Sequence, residues 1–115
     1  MGPVILIVEP RAEVAAALEE VISSARFTAV VIPHLERLAD LGFTPAAIVV
    51  RIAFEGSVPA HAAIEHLPPD RPPVVAIAWD DTELAEAARL KCDVVLRAPR
   101  DVTRLCETLR KLAQA

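Results

Sequence analysis

Five short runs, apolar at nearly every position, are spaced along the chain: VILIV (Val4 to Val8), TAVVI (Thr28 to Ile32), AAIVV (Ala46 to Val50), PVVAIA (Pro73 to Ala78) and DVVLR (Asp93 to Arg97). A strand with one wet face alternates apolar and polar residues. These runs do not, so they predict strands buried on both faces, as in a parallel sheet covered by helices. The intervening segments carry a helical period instead. Glu9 to Ala25 sets Val14, Leu18, Val21 and Ile22 on one face, with Pro10 suited to the first helical position. His34 to Leu41 predicts a short helix stopped by Gly42; Ser57 to Leu67 predicts another, capped by Ser57 and ended by PPDRPP at 68–73. A fourth runs from Asp81 to Lys91, with Asp80 and Glu83 spaced as a capping box, and a last from Asp101 to Ala113 carries Val102, Leu105, Cys106, Leu109 and Leu112 as its apolar stripe. Strand and helix alternate five times, which predicts an α/β fold: a doubly wound, parallel, five-stranded sheet in the flavodoxin-like order 2-1-3-4-5 with right-handed crossovers. No linker or charge block interrupts the alternation, so residues 1–115 read as one domain.

Composition narrows the function more than it changes the fold. A chain of 115 residues, 54% hydrophobic, is large enough to bury about 65% of the surface its unfolded form exposes. The formal charge is −4 and Lys and Arg never run three together, so no basic stripe is present to track a phosphate backbone, and direct nucleic-acid binding is not expected. Cys92 and Cys106 match no metal spacing and read as structural thiols in a reducing, cytoplasmic protein. The run from Pro3 to Val8 is too short for a signal-peptide core, and no apolar stretch is long enough to span a bilayer. His34, His61 and His66 lack zinc spacing. Gly2, Gly42 and Gly56 form no phosphate-cradling loop, which disfavours nucleotides, and no cofactor is expected.

In an open parallel sheet the site lies beyond the carboxyl ends of the strands, near the switch point between the first and third. Here those positions are Glu9 and Pro10, Arg51, Ala78 and Trp79, and Ala98 and Pro99. With ILIVEP, PPVVAIA and VLRAPRD at three of the strand ends, the whole chain resembles a CheY-like receiver domain of bacterial response regulators. That resemblance implies a set of strand-end residues: an aspartate phosphoryl acceptor after the third strand, two magnesium-holding acids after the first, a hydroxyl after the fourth and a lysine before the proline of the fifth. Carried over position by position, only one acid remains, as Glu9. Pro10 replaces the second acid, Arg51 the acceptor, Ala78 the hydroxyl and Ala98 the lysine, with Arg97 one residue away; Val95 stands where the family usually keeps an aromatic switch. A cation at the acceptor position repels Mg²⁺ and has no carboxylate to phosphorylate, so the resemblance is to a degenerate pseudo-receiver acting in signalling through protein contacts, with no catalytic residues and no metal.

Neighbouring first and third strands bring Glu9 and Arg51 within reach of a bidentate ion pair; the plainer alternative leaves Arg51 snorkelling into solvent and Glu9 favouring the helix N-terminus. Trp79 is the sole tryptophan and either covers the pocket, anchors a partner or packs on its own helix. Asp80 and Asp81 read as helix caps. A signalling partner is implied, and the face made by the fourth predicted helix, the fifth strand and the last helix, with Glu83, Glu86, Arg89, Lys91, Arg97, Arg104 and Arg110, suits a twofold homodimer. Two other readings stand beside this one: a receiver-like sensor of a small ligand, and an α/β enzyme using the Glu9 and Arg51 pocket on a small anion.

Overall fold

The computed structural model describes residues 3–34, 41–52, 64, 67–68 and 70–113. Its elements are β1 (Val4–Val8), α1 (Ala12–Ser24), β2 (Thr28–Ile32), β3 (Ala47–Arg51), β4 (Val74–Ala78), α2 (Asp81–Arg89), β5 (Val94–Arg97), a 3₁₀ turn (Arg100–Arg104) and α3 (Leu105–Ala113). All strand pairs are parallel and the order is β2-β1-β3-β4-β5, as the apolar runs predict. The central strands β1, β3 and β4 are buried almost throughout, which is why they lack alternation: both of their faces meet helices or loops.

Successive side chains of one strand point to opposite faces, so each strand feeds two cores. Ile5, Ile7, Ala47, Val49, Val75, Ile77 and Leu96 pack with Leu18 and Ile22 of α1 and Leu105 and Leu109 of α3. Leu6, Val8, Ile48, Val50, Val74 and Ala76 face the other way, toward Ala87 of α2, Leu90, Ile52 and Ile64. This parity places Glu9, Arg51 and Trp79 on the side of α1 and α3.

Several boundaries depart from the sequence expectation. The third strand begins at Ala47 and includes Arg51, whose Cα pairs with Ile77, so the arginine is the last strand residue and not the first loop residue. α1 begins at Ala12 after Arg11, two residues beyond Pro10, because the turn out of β1 is closed by the Arg11 backbone N–H donating to Glu9 Oε1 at 3.0 Å. On α1, Ala15, Leu18 and Ile22 are buried, whereas Val21, expected on the core face, is 39% exposed. The last helix opens as a 3₁₀ turn over its first residues. The predicted helices at His34 to Leu41 and Ser57 to Leu67 fall mainly outside the described residues, as do Ser57, His61 and His66; Gly42 takes the left-handed conformation (φ 72°) suited to a cap.

The end of α2 has a Schellman form. Lys91 donates from its backbone to the Ala88 carbonyl at 3.1 Å and Cys92 to that of Ala87 at 3.4 Å, with Lys91 held at φ 58°. That conformation suits glycine better than a residue with a Cβ, so Lys91→Gly is expected to raise stability by about 0.5–1 kcal/mol in urea unfolding.

Just beyond, Arg71 bridges the Asp93 carboxylate at 3.0 Å and the Lys91 carbonyl at 3.1 Å, while Asp93 accepts the Val74 N–H at 2.7 Å, locking the amino edges of β4 and β5 together. Burial pushes the Cys92 thiol up to about 11, partly opposed by Arg71. The folded state therefore favours the neutral thiol. Near pH 8 Cys92 is expected to alkylate at least tenfold more slowly than free cysteine, since the thiolate is the reactive form; measured alkylation rates check this.

Candidate functional site at the carboxyl edge of the sheet

The positions singled out at the strand ends lie where β1, β3, β4 and β5 terminate. Ala78 and Ala98 are buried beside one another, the Ala98 N–H donating to the Ala78 carbonyl at 2.8 Å, and a cis peptide joins Ala98 to Pro99. Two methyl groups thus occupy the places of a hydroxyl and an ammonium in the resemblance. Neither offers a donor or acceptor from its side chain. Pro10 lies exposed in the turn above β1.

Glu9 is 3% exposed. One of its oxygens takes the Arg11 N–H, and the other has no hydrogen-bond partner among the described residues. Arg51 is the neighbouring charge in register, one step past the Val8 and Val50 pair. The bidentate Glu9–Arg51 bridge expected from that adjacency is not formed: no ion pair joins them, and the Arg51 Nε is itself buried with no acceptor among the described residues. The guanidinium lies instead under the Trp79 ring, 5.3 Å from its centroid. The reason is local. Glu9 is bent back to close the β1–α1 turn, which withdraws one of the two oxygens a fork would need, and the indole face offers Arg51 an alternative attraction to its charge.

Trp79 is held for that role by the start of α2. The Asp80 carboxylate accepts the Glu83 N–H at 2.8 Å as the helix N-cap, and the Glu83 carboxylate accepts the Trp79 N–H at 3.1 Å. The expected capping box is present in a displaced form, its return bond reaching the residue before the cap. Glu83, expected on a charged outer face, is in consequence buried. Trp79 remains 42% exposed, its ring covering Arg51 on one side and meeting solvent on the other.

Arg97 does not join this cluster. It sits opposite Ala78 in the β4–β5 register with its side chain on the α2 side of the sheet, 3.7 Å from Asp81, which is fully exposed. Asp101, read from the sequence only as the first residue of the last helix, organises the turn after β5. It accepts the Arg97 N–H at 3.0 Å and lies 3.3 Å from Arg100 and 4.0 Å from the exposed Arg104. The backbone N–H of Arg97, then Arg100, hold its carboxyl below the usual carboxylate range. An acid four residues past a strand end and in the first turn of a 3₁₀ segment was the available signal. Among the described residues no group of His, Cys, Asp or Glu is arranged to hold a metal ion, and no helix is long and apolar enough to cross a membrane.

The sequence matches no protein-family model and no curated protein. The fold does have solved counterparts. The receiver domain of the Francisella response regulator 1452 superposes with a TM-score of 0.80 at 13% identity over 98% of both chains. A response regulator receiver protein from Burkholderia phymatum gives 0.79 at 19% identity, over 97% of this chain and 95% of that one. The signal receiver domain of a histidine kinase from Syntrophus aciditrophicus gives 0.80 at 20% identity, over 98% and 91%. The chain therefore has the receiver fold.

Two measurements test this geometry. A double-mutant cycle of Arg51→Met and Trp79→Leu is expected to return a coupling of about 0.5–1 kcal/mol, the range of a partly exposed cation–π contact; additive effects contradict the stacking. For Asp101, the folded carboxyl titrates below its unfolded value, so its stabilising effect is present above the ordinary carboxylate range and is lost as pH falls through the folded value. Urea midpoints followed from neutral pH to about pH 3 are expected to fall less steeply in Asp101→Asn than in the parent protein.

Proposed function

We propose that this chain is a signalling domain of receiver type that works through protein contacts and takes no phosphoryl group on β3. The observation that carries the reading is Arg51 as the last residue of β3, its guanidinium under Trp79. Phosphoryl transfer onto a strand-end carboxylate needs the carboxylate, a cation-binding acid pair and donors for the phosphoryl oxygens. At this edge a guanidinium, a proline, two alanines and a single buried carboxylate occupy those places. A guanidinium also opposes a divalent cation electrostatically. Support for signalling as the class comes from the fold likeness to receiver domains, which covers nearly the whole length of this chain and of the compared ones.

A receiver surface without its chemical switch is left with partner recognition. The outer face of α2, β5 and α3 carries the Glu86 and Arg89 pair, the Arg97 and Asp81 pair and the Lys111 and Glu107 pair. These charges are matched within one molecule, and they re-pair across a twofold axis only by exchange; the homodimer we propose on this face is accordingly salt-sensitive and weak.

Amide spectra recorded with Mg²⁺ and beryllofluoride are expected to leave residues 9, 51, 78 and 98 unshifted. Saturable shifts at those residues would overturn the reading.

A further inference from the structure

A groove of about 480 Å³ opens between α1 and the 3₁₀ turn on the same side of the sheet as Arg51. Its existence follows from the sequence of α1. Ala15, Leu18 and Ile22 fill the core, but the adjacent stripe of Val14, Ala17 and Val21, spaced three and four residues apart, is apolar and only partly covered. Pro99 and Val102 form the facing wall, and Ile77 the floor. At the lower end the two helices close together, where the Cys106 thiol meets the Val21 carbonyl at 3.5 Å. At the upper end stand Arg51 and Trp79. The volume falls in the range of small-molecule pockets, and so does the character: mostly apolar walls with a few polar side chains, Glu13, Arg51 and Thr103, at fixed places.

We propose that this groove binds a small amphipathic monocarboxylate, its alkyl chain along α1 and its carboxylate on Arg51. Among the described residues that line it, Arg51 is the one cation, and its Nε is buried with no acceptor. Nε is enclosed, but the two terminal nitrogens of the guanidinium are neither enclosed nor hydrogen-bonded among the described residues, so a carboxylate in the groove can pair with them. The walls set the rest of the ligand. From Glu13 to Val21 the helix rises about 12 Å, the reach of a medium-length alkyl chain. Charge selects a monoanion: Glu13 lies exposed at the rim and Glu9 ends the neighbouring strand, so a dianion such as a phosphate monoester meets more repulsion for the same single guanidinium. Trp79, covering Arg51, flanks the head group and shields the ion pair from solvent.

Beyond phosphorylation-independent signalling, the groove supplies that domain with an input. The inference does not depend on that reading, because the groove and its cation stand whether or not the strand ends accept a phosphoryl group.

Trp79 is the single tryptophan, so its emission reports on the groove directly. Decanoate, titrated below its micelle-forming concentration, is expected to change that emission saturably, and to shift amides of residues 14, 17, 21, 51 and 102. Decan-1-ol, with the same chain and no charge, is expected to bind at least tenfold more weakly. Arg51→Leu is expected to reduce decanoate affinity to the decanol level and to leave decanol unchanged. Ala17→Phe, on the exposed wall where it does not disturb the core, is expected to block both. The proposal is overturned by the absence of saturable decanoate binding in the folded parent protein, by equal affinity for acid and alcohol, by an Arg51→Leu variant that binds decanoate as the parent does, or by amide shifts confined to other surfaces. Each of these outcomes leaves the beryllofluoride result as it was, so failure here is distinguishable from failure of the receiver reading.

Discussion

A parallel sheet buried on both faces has no interior place for a charge, so its polar side chains collect where the strands stop. Everything at the upper edge of this protein follows from that constraint. β1, β3 and β4 are filled with Ile, Leu, Val and Ala up to their last residues, and Glu9 and Arg51 appear only at their carboxyl ends. Burying them deeper would strip both of water with no matching partner. At the edge each finds a partial solution: Glu9 takes a backbone N–H, and Arg51 takes the face of an indole.

The second solution depends on α2. Asp80 and Glu83 fix the first turn of that helix by binding backbone N–H groups on either side of the cap, and one of those groups belongs to Trp79. The cap thereby sets the position of the ring over Arg51. Capping, cation–π contact and strand-end charge form one connected arrangement, and the groove beside α1 is its open flank. Where an acid acceptor would suit this edge to metal and phosphoryl chemistry, a guanidinium opposes a divalent cation and attracts negative charge.

Much of this was legible in the chain. The sheet and its order could be read because five uninterrupted apolar runs alternate with helical periods, a pattern that few topologies satisfy. The strand-end positions of Glu9, Arg51, Ala78 and Ala98 followed from the run boundaries to within a residue. The contact made by Arg51 was not legible. Adjacency in the sheet pointed to Glu9, with solvent as the alternative, and neither is the contact made: Arg11 claims one oxygen of the Glu9 carboxylate through its backbone, and Arg51 lies under Trp79. Backbone hydrogen bonds of that kind carry no residue signature. For the same reason α1 begins at Ala12 and not at Pro10, and Val21, apolar and in phase with the core stripe, stands in the groove wall: periodicity gives the face of a helix but not the angle at which that face meets the sheet.

In the function proposed above, the carboxyl edge of the sheet takes no phosphoryl group: a guanidinium covered by Trp79 stands at the end of β3, and Glu9 at the end of β1 has no second acid beside it. Intact-mass spectrometry after incubation with phosphoramidate and Mg²⁺ reads this most directly. An unchanged mass is expected under conditions that phosphorylate a receiver domain with an aspartate at the end of its third strand. Gain of one acid-stable or acid-labile phosphoryl group on a carboxylate at the strand ends, Glu9 above all, would contradict it.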